Sequence, residues 1–227
     1  MEIDCIQNFG DFARVLRRVG FSVSGGSAEG GIALSDAFSP DVRWFSGAET
    51  DPWEWRMRVV EELKDVAYAK VFLGKGGFIT REWYPYFLAV RRGGMTFDDL
   101  YQDGLLSAFA RDIYRAIEEH GQIAYHEIKR VIGSGREDES KVKTALVQLQ
   151  MRMLVTIAGR TYRYNKEGLP YGWEVNVFST PEHYFGDGVF EESIGVGRDA
   201  AIAAIAGRIR ECRPDTGERE MMKFIRV

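Results

Sequence analysis

Apolar residues first fall into a helical rhythm at Phe12, Val15, Leu16 and Val19, with arginines between them and Gly20 as the stop. The glycine-rich stretch from Ser22 to Gly31 reads as a loop. Asp51-Pro52 opens a second helix, because aspartate can cap free amides and proline fits the first turn. Trp55, Val59 and Leu63 continue it. From Ala67 the period drops to two, reverses at Gly74-Lys75-Gly76-Gly77 and resumes at Phe78, as a β-hairpin requires. Trp83–Arg92 is expected to form a further helix, followed by a turn around Asp98–Gly104.

The second half is more sharply organised. Leu106, Phe109, Ile113 and Ile117 mark a helix near 105–119, and Ile128 and Ile132 a short one near 124–132. Val142, Leu146, Leu149 and Met153 mark a third near 140–153. Val155–Ile157, Arg160–Tyr164 and Trp173–Phe178 read as strands that turn at Asn165–Gly168. Three short helices closed by a hairpin share one small core, which is the winged-helix plan, here from about Leu105 to Phe178. Thr180-Pro181-Glu182 starts another helix, Ile202, Ile205 and Ile209 mark the next, and Met221–Ile225 supplies a last apolar element. The expected fold class is therefore α/β in the α+β sense. An N-terminal helix and hairpin domain (residues 1–100) precedes a winged helix-turn-helix module with C-terminal helices (residues 101–227).

Composition changes this picture little. The 227 residues are 45% hydrophobic and 28% charged, as a globular chain would be. No apolar run is long enough to span a membrane, and the acidic start Met1-Glu2-Ile3-Asp4 is unlike a signal peptide. Cys5 and Cys212 stand at opposite ends, so a reducing cytoplasm is the expected compartment. The net charge of −4 gives no general pull toward nucleic acid. Charge is uneven, however. Lys141, Lys143, Arg152, Arg160, Arg163 and Lys166 follow one another without an intervening acid, and the next stretch, to Glu192, has acids and no Lys or Arg. A basic patch and ordinary solvated faces both account for this alternation.

Candidate chemistry is sparse. His120, His126 and His183 are scattered and neither cysteine has a metal-ligand neighbour, so no metal or other cofactor is expected. Gly74–Gly77 lacks the upstream glycine and the hydroxyl residue of a phosphate loop. Trp53 and Trp55 lie near arginines, as does Trp83; such aromatics can stack bases in a groove or simply build a core. In a winged helix the third helix enters the major groove, and its outer face would carry Ser140, Thr144, Val147 and Met151 with Lys143 at the edge. That face is weakly polar. Lys141, Lys143, Thr144, Arg152, Arg160, Arg163 and Lys166 are therefore expected to contact DNA through its backbone.

Five stretches add a family likeness: Asp51-Pro52-Trp53-Glu54-Trp55-Arg56, Gly77-Phe78-Ile79 with Glu82-Trp83, Leu149-Gln150-Met151, Gly168-Leu169-Pro170-Tyr171-Gly172-Trp173, and Ser179-Thr180-Pro181-Glu182-His183. In these the chain resembles the AlkZ-related proteins, relatives of the winged-helix DNA glycosylases that excise alkylated bases. The resemblance implies a role in DNA repair. The glycosylase branch carries a catalytic Gln-x-Gln or Gln-x-Asp motif, which would make Gln148 and Gln150 the residues that orient water. Residues two apart on a helix project about 200° apart, which works against their convergence. Three readings stay open: a DNA-binding protein contacting double-stranded DNA, a glycosylase on alkylated bases, and a non-catalytic module for a protein partner or self-association.

Overall fold

The computed structural model describes residues 1–26, 28–186 and 188–226. The first helix, α1 (Phe9–Val19), is capped by the Asn8 side chain, buries Phe12, Val15, Leu16 and Val19, and leads directly into strand β1 (Phe21–Val23). β1 occupies part of the glycine-rich stretch expected to be loop; all three of its residues are buried, so packing overrides the local composition. Asp51 caps α2 (Pro52–Arg58), which continues as a π-helical turn over Val59–Leu63. The hairpin β2 (Val66–Phe72) and β3 (Lys75–Thr80) follows, then α3 (Tyr84–Arg91). Where a turn was expected, a capping box between Thr96 and Asp99 starts a short helix, α4 (Phe97–Gln102).

The helices expected in the second half are α5 (Ala108–His120), α6 (Tyr125–Val131) and α7 (Glu139–Met151). A three-residue strand, β4 (Gln122–Ala124), joins α5 to α6. The long hairpin β5 (Thr156–Tyr164) and β6 (Pro170–Ser179) comes next, and β4 pairs along β6. Helices α8 (Pro181–Phe185), α9 (Val189–Val196), α10 (Arg198–Cys212) and α11 (Glu218–Arg226) complete the chain.

The architecture is mixed α+β, with an antiparallel sheet in the order β1-β3-β2-β5-β6-β4. Tyr68 on β2 faces Ile157 on β5, so one sheet runs from the N-terminal strands into the second half. The core is continuous across that join, from Phe12, Trp55 and Phe78 to Ile157, Leu149 and Phe178. C-terminal α11 closes the other side, with Phe224 stacked on Phe72 at 4.2 Å between ring centroids. No helix among the described residues is long and apolar enough to cross a membrane.

Candidate functional site

The β5–β6 hairpin is buried at its base and free at its end. Thr156, Ile157, Phe178 and Ser179 lie in the core, whereas residues 162–174 are all exposed. At the tip, the Asn165 side chain accepts hydrogen bonds from the amides of Glu167 and Leu169, which fixes the turn. Below the tip the register shifts between Thr161 and Arg163, because β6 carries extra residues opposite them. Gly172 takes φ +77° there, a conformation that glycine adopts without strain, and the bulge turns Trp173 outward to 91% exposure. Tyr162, Tyr164, Leu169 and Tyr171 are also exposed.

One side of this arm faces α6. Arg163 and Tyr171 line a 360 Å³ cleft with His126, Lys129 and Arg130. Glu139, at the start of α7, holds that helix to α6: it accepts from the Tyr125 hydroxyl (2.8 Å), pairs with Lys129, and is reached by Lys143 at 3.2 Å. The hydrogen bonds from Lys129 and Tyr125 hold its carboxyl down at about 2.

The cations expected at DNA stand in different surroundings. Arg163 and Lys166 stand exposed on the arm, and neither has a carboxylate partner among the described residues. Arg152 is half-buried at the end of α7, beside Arg91 and Arg226, and Thr144 lines the same 450 Å³ hollow. Lys141 pairs with Asp138 and Lys143 with Glu139, both on the exposed face of α7. Arg160 is different. Its Nη1 donates to Glu54 (2.7 Å) and Glu174 (2.9 Å), and its Nε lies 3.5 Å from Glu61. Burial opposes its charge, but the three carboxylates outweigh that and hold its pKa above the ordinary value. Arg160 therefore ties α2 to the hairpin and is not free for phosphate. Sequence gave no hint, because Glu54 and Glu61 come from a distant helix.

The C-terminal half of α7 is anchored to the sheet and to α3. Gln150 is 3% exposed; its Oε1 accepts from the Lys70 amide on β2 (2.9 Å) and its Nε2 donates to the Leu146 carbonyl (3.0 Å). Gln148 points elsewhere, its Nε2 donating to the Leu105 carbonyl at 2.9 Å. The two side chains diverge, as helical geometry demands; Gln150 lines a 320 Å³ pocket with Lys70, Tyr125 and Lys143, but both of its polar atoms are engaged by backbone groups. Arg91 donates to the carbonyls of Met151, Phe224 and Ile225 and also to that of Val71, stapling α7, α11 and β2 together. Burial lowers its pKa from the ordinary arginine value, yet the guanidinium, bonded to these carbonyls and lying 5.4 Å from the Phe72 and Phe87 rings, stays charged. The N-terminal half of α7, with Ser140, Lys141, Lys143 and Thr144, remains exposed.

Of the three tryptophans considered for stacking, Trp55 (1% exposed) and Trp83 (8%) belong to the core, where they meet Phe12 and Phe21. Trp53 is 41% exposed, with the Arg56 guanidinium over its ring at 3.3 Å. It borders a 600 Å³ groove whose opposite wall is Arg160, Tyr162, Trp173 and Glu174. Two of the family-like stretches, Asp51–Arg56 and Gly168–Trp173, thus meet across one groove. The other three are structural: Glu182 pairs with buried Arg92, and Gln150 and Phe78 hold the sheet. His120 contacts the Ala116 carbonyl through Nδ1, at 2.9 Å. Among the described residues no cluster of His, Cys, Asp or Glu has the makings of a metal site.

Compared with known families, residues 6–226 match a family described as AlkZ related. No curated protein and no solved structure matches the chain.

Proposed function

The chain belongs to the AlkZ-related family, and from that premise we propose that it is a DNA-binding protein linked to DNA repair, in which residues 108–179 act as a winged helix on the duplex backbone. The observation that carries this reading is the outer half of the β5–β6 hairpin, an exposed aromatic arm on a buried base, on which Arg163 and Lys166 have no carboxylate partner among the described residues. Two strands without a packing partner gain little stability by themselves. Exposed rings beside unpaired cations are therefore best accounted for by a partner that covers them. Duplex DNA fits: Arg163 and Lys166 reach phosphates from the arm, and the free half of α7 adds Lys143 and Thr144. That half offers no Arg, Asn or Gln to base edges, so the binding has little sequence preference.

Base excision is not assigned to Gln148 and Gln150, since they diverge and both polar atoms of Gln150 are engaged by backbone groups. Anisotropy titrations with a blunt duplex test the DNA reading. Arg163→Glu with Lys166→Glu is expected to weaken binding and to flatten the dependence of log K on log salt by about two. Absent or salt-insensitive binding would transfer the arm to a protein partner or to self-association.

A further inference from the structure

A second aromatic hollow, of 330 Å³, lies between the Trp44–Asp51 loop and the β2–β3 turn. Its walls include Trp44, Phe45, Trp53 and Tyr68, and Arg56 and Lys70 stand at its edge. Neither of those cations has a carboxylate partner among the described residues, unlike Lys75 nearby, which pairs with Glu29. The hollow is held open by specific devices. Phe45 is 71% exposed and adopts φ +59°, a backbone conformation that bulky side chains rarely occupy. Asp51, 2% exposed, fixes it there by accepting from the amides of Phe45 (3.0 Å), Gly47 (2.9 Å) and Trp53 (2.8 Å). Burial works against the Asp51 charge, but those amides outweigh it and hold the carboxyl below its ordinary value. Facing this loop is Gly25, where a Cβ would lie 2.7 Å from the Trp44 ring. A large apolar ring kept outside by a strained backbone and a buried carboxylate is a feature that packing alone does not call for.

We propose that this hollow holds a single unpaired nucleotide, its base against the Phe45 and Trp44 rings and its phosphate at Arg56 and Lys70. Base-on-aromatic stacking tolerates any base, and the two cations, Arg56 already seated on the Trp53 ring, complement the phosphate. The proposal rests on the DNA reading above and sharpens it: among DNA substrates, those with an unpaired stretch are preferred.

The test compares a blunt duplex with the same duplex carrying a short single-stranded overhang, using the parent, Phe45→Gly and Lys70→Glu. Phe45→Gly separates function from folding, since glycine relieves the φ +59° backbone while removing the ring. The parent is expected to bind the overhang duplex about tenfold more tightly than the blunt one. Both variants should lose that difference, with blunt-duplex affinity unchanged and the melting temperature of Phe45→Gly unchanged or raised. Equal affinity of the parent for both duplexes, or a preference that survives Phe45→Gly, overturns the proposal while leaving duplex binding intact. Binding of the overhang without the blunt duplex supports it and removes the backbone reading instead. Failure to bind either duplex overturns both. dAMP as competitor asks whether a free nucleotide suffices. Displacement by dAMP and not by inorganic phosphate supports a base-reading site, whereas equal displacement by phosphate overturns it.

Discussion

At its base the β5–β6 hairpin sets Ile157 opposite Phe178, both buried, and the Thr156 hydroxyl bonds to the Tyr68 carbonyl of the neighbouring strand. Toward the tip the same two strands carry Tyr164, Leu169 and Trp173 into solvent at 58%, 61% and 91% exposure. The two strands stay paired through two bulges; their surroundings change. The inner half derives its stability from neighbours on both faces, and the outer half keeps rings and cations uncovered. One hairpin thus belongs to the core where the sheet surrounds it and offers its side chains to solvent beyond.

Mutations should divide along the same line. The largest effect is expected from Phe178→Ala, which empties a core position and should lower stability by about 3–5 kcal/mol in denaturant titrations. Gln150→Ala comes next, because the part-buried Lys70 amide loses its acceptor, at about 1–2 kcal/mol. A Gln150 variant that stayed as stable as the parent yet lost a base-release activity would reverse the structural reading of that residue. A smaller effect belongs to Glu139. Its folded-state pKa, near 2, lies below the ordinary 4.5. Its contribution is therefore present above pH 4.5 and is lost as pH falls toward 2. Since the side chain is 37% exposed, screening limits this to about 0.2–1 kcal/mol. Thermal melts between pH 6 and pH 2, pH values chosen to bracket about that window, should decline less steeply for Glu139→Gln. The smallest effect is expected from Trp173→Ala, within about 0.5 kcal/mol in stability, because the indole touches little of its own protein.

Sequence periodicity made the long helices of the second half legible, since α5 and α7 each bury a regular stripe, whereas short α6 buries Ile128 alone. Periodicity failed at β4 and β1, which are three residues long and exist because neighbouring strands pair with them. It also failed at Arg160, where a run of cations hid a residue held by carboxylates from α2 and the turn after it. The divergence of Gln148 and Gln150 was readable from helical spacing; the bond between Gln150 and the Lys70 amide was not, as it depends on β2 eighty residues earlier. Trp53 and Trp55 illustrate the same limit. They are two positions apart on one short helix, and only the packing of Phe12 and Phe38 around Trp55 decides which of them faces the core.

The most direct test removes the arm and keeps its base. Thr161 and Val175 face each other across the ladder, so an Asn-Gly turn can replace residues 162–174 and close the shortened hairpin. Circular-dichroism melts establish that the protein still folds, and anisotropy titrations with a blunt duplex over a range of salt report binding. The shortened protein is expected to melt close to the parent and to lose more than about tenfold in duplex affinity at low salt, with a shallower salt slope. A shortened protein that folds and binds the duplex with the parent's affinity and salt dependence would contradict the DNA reading.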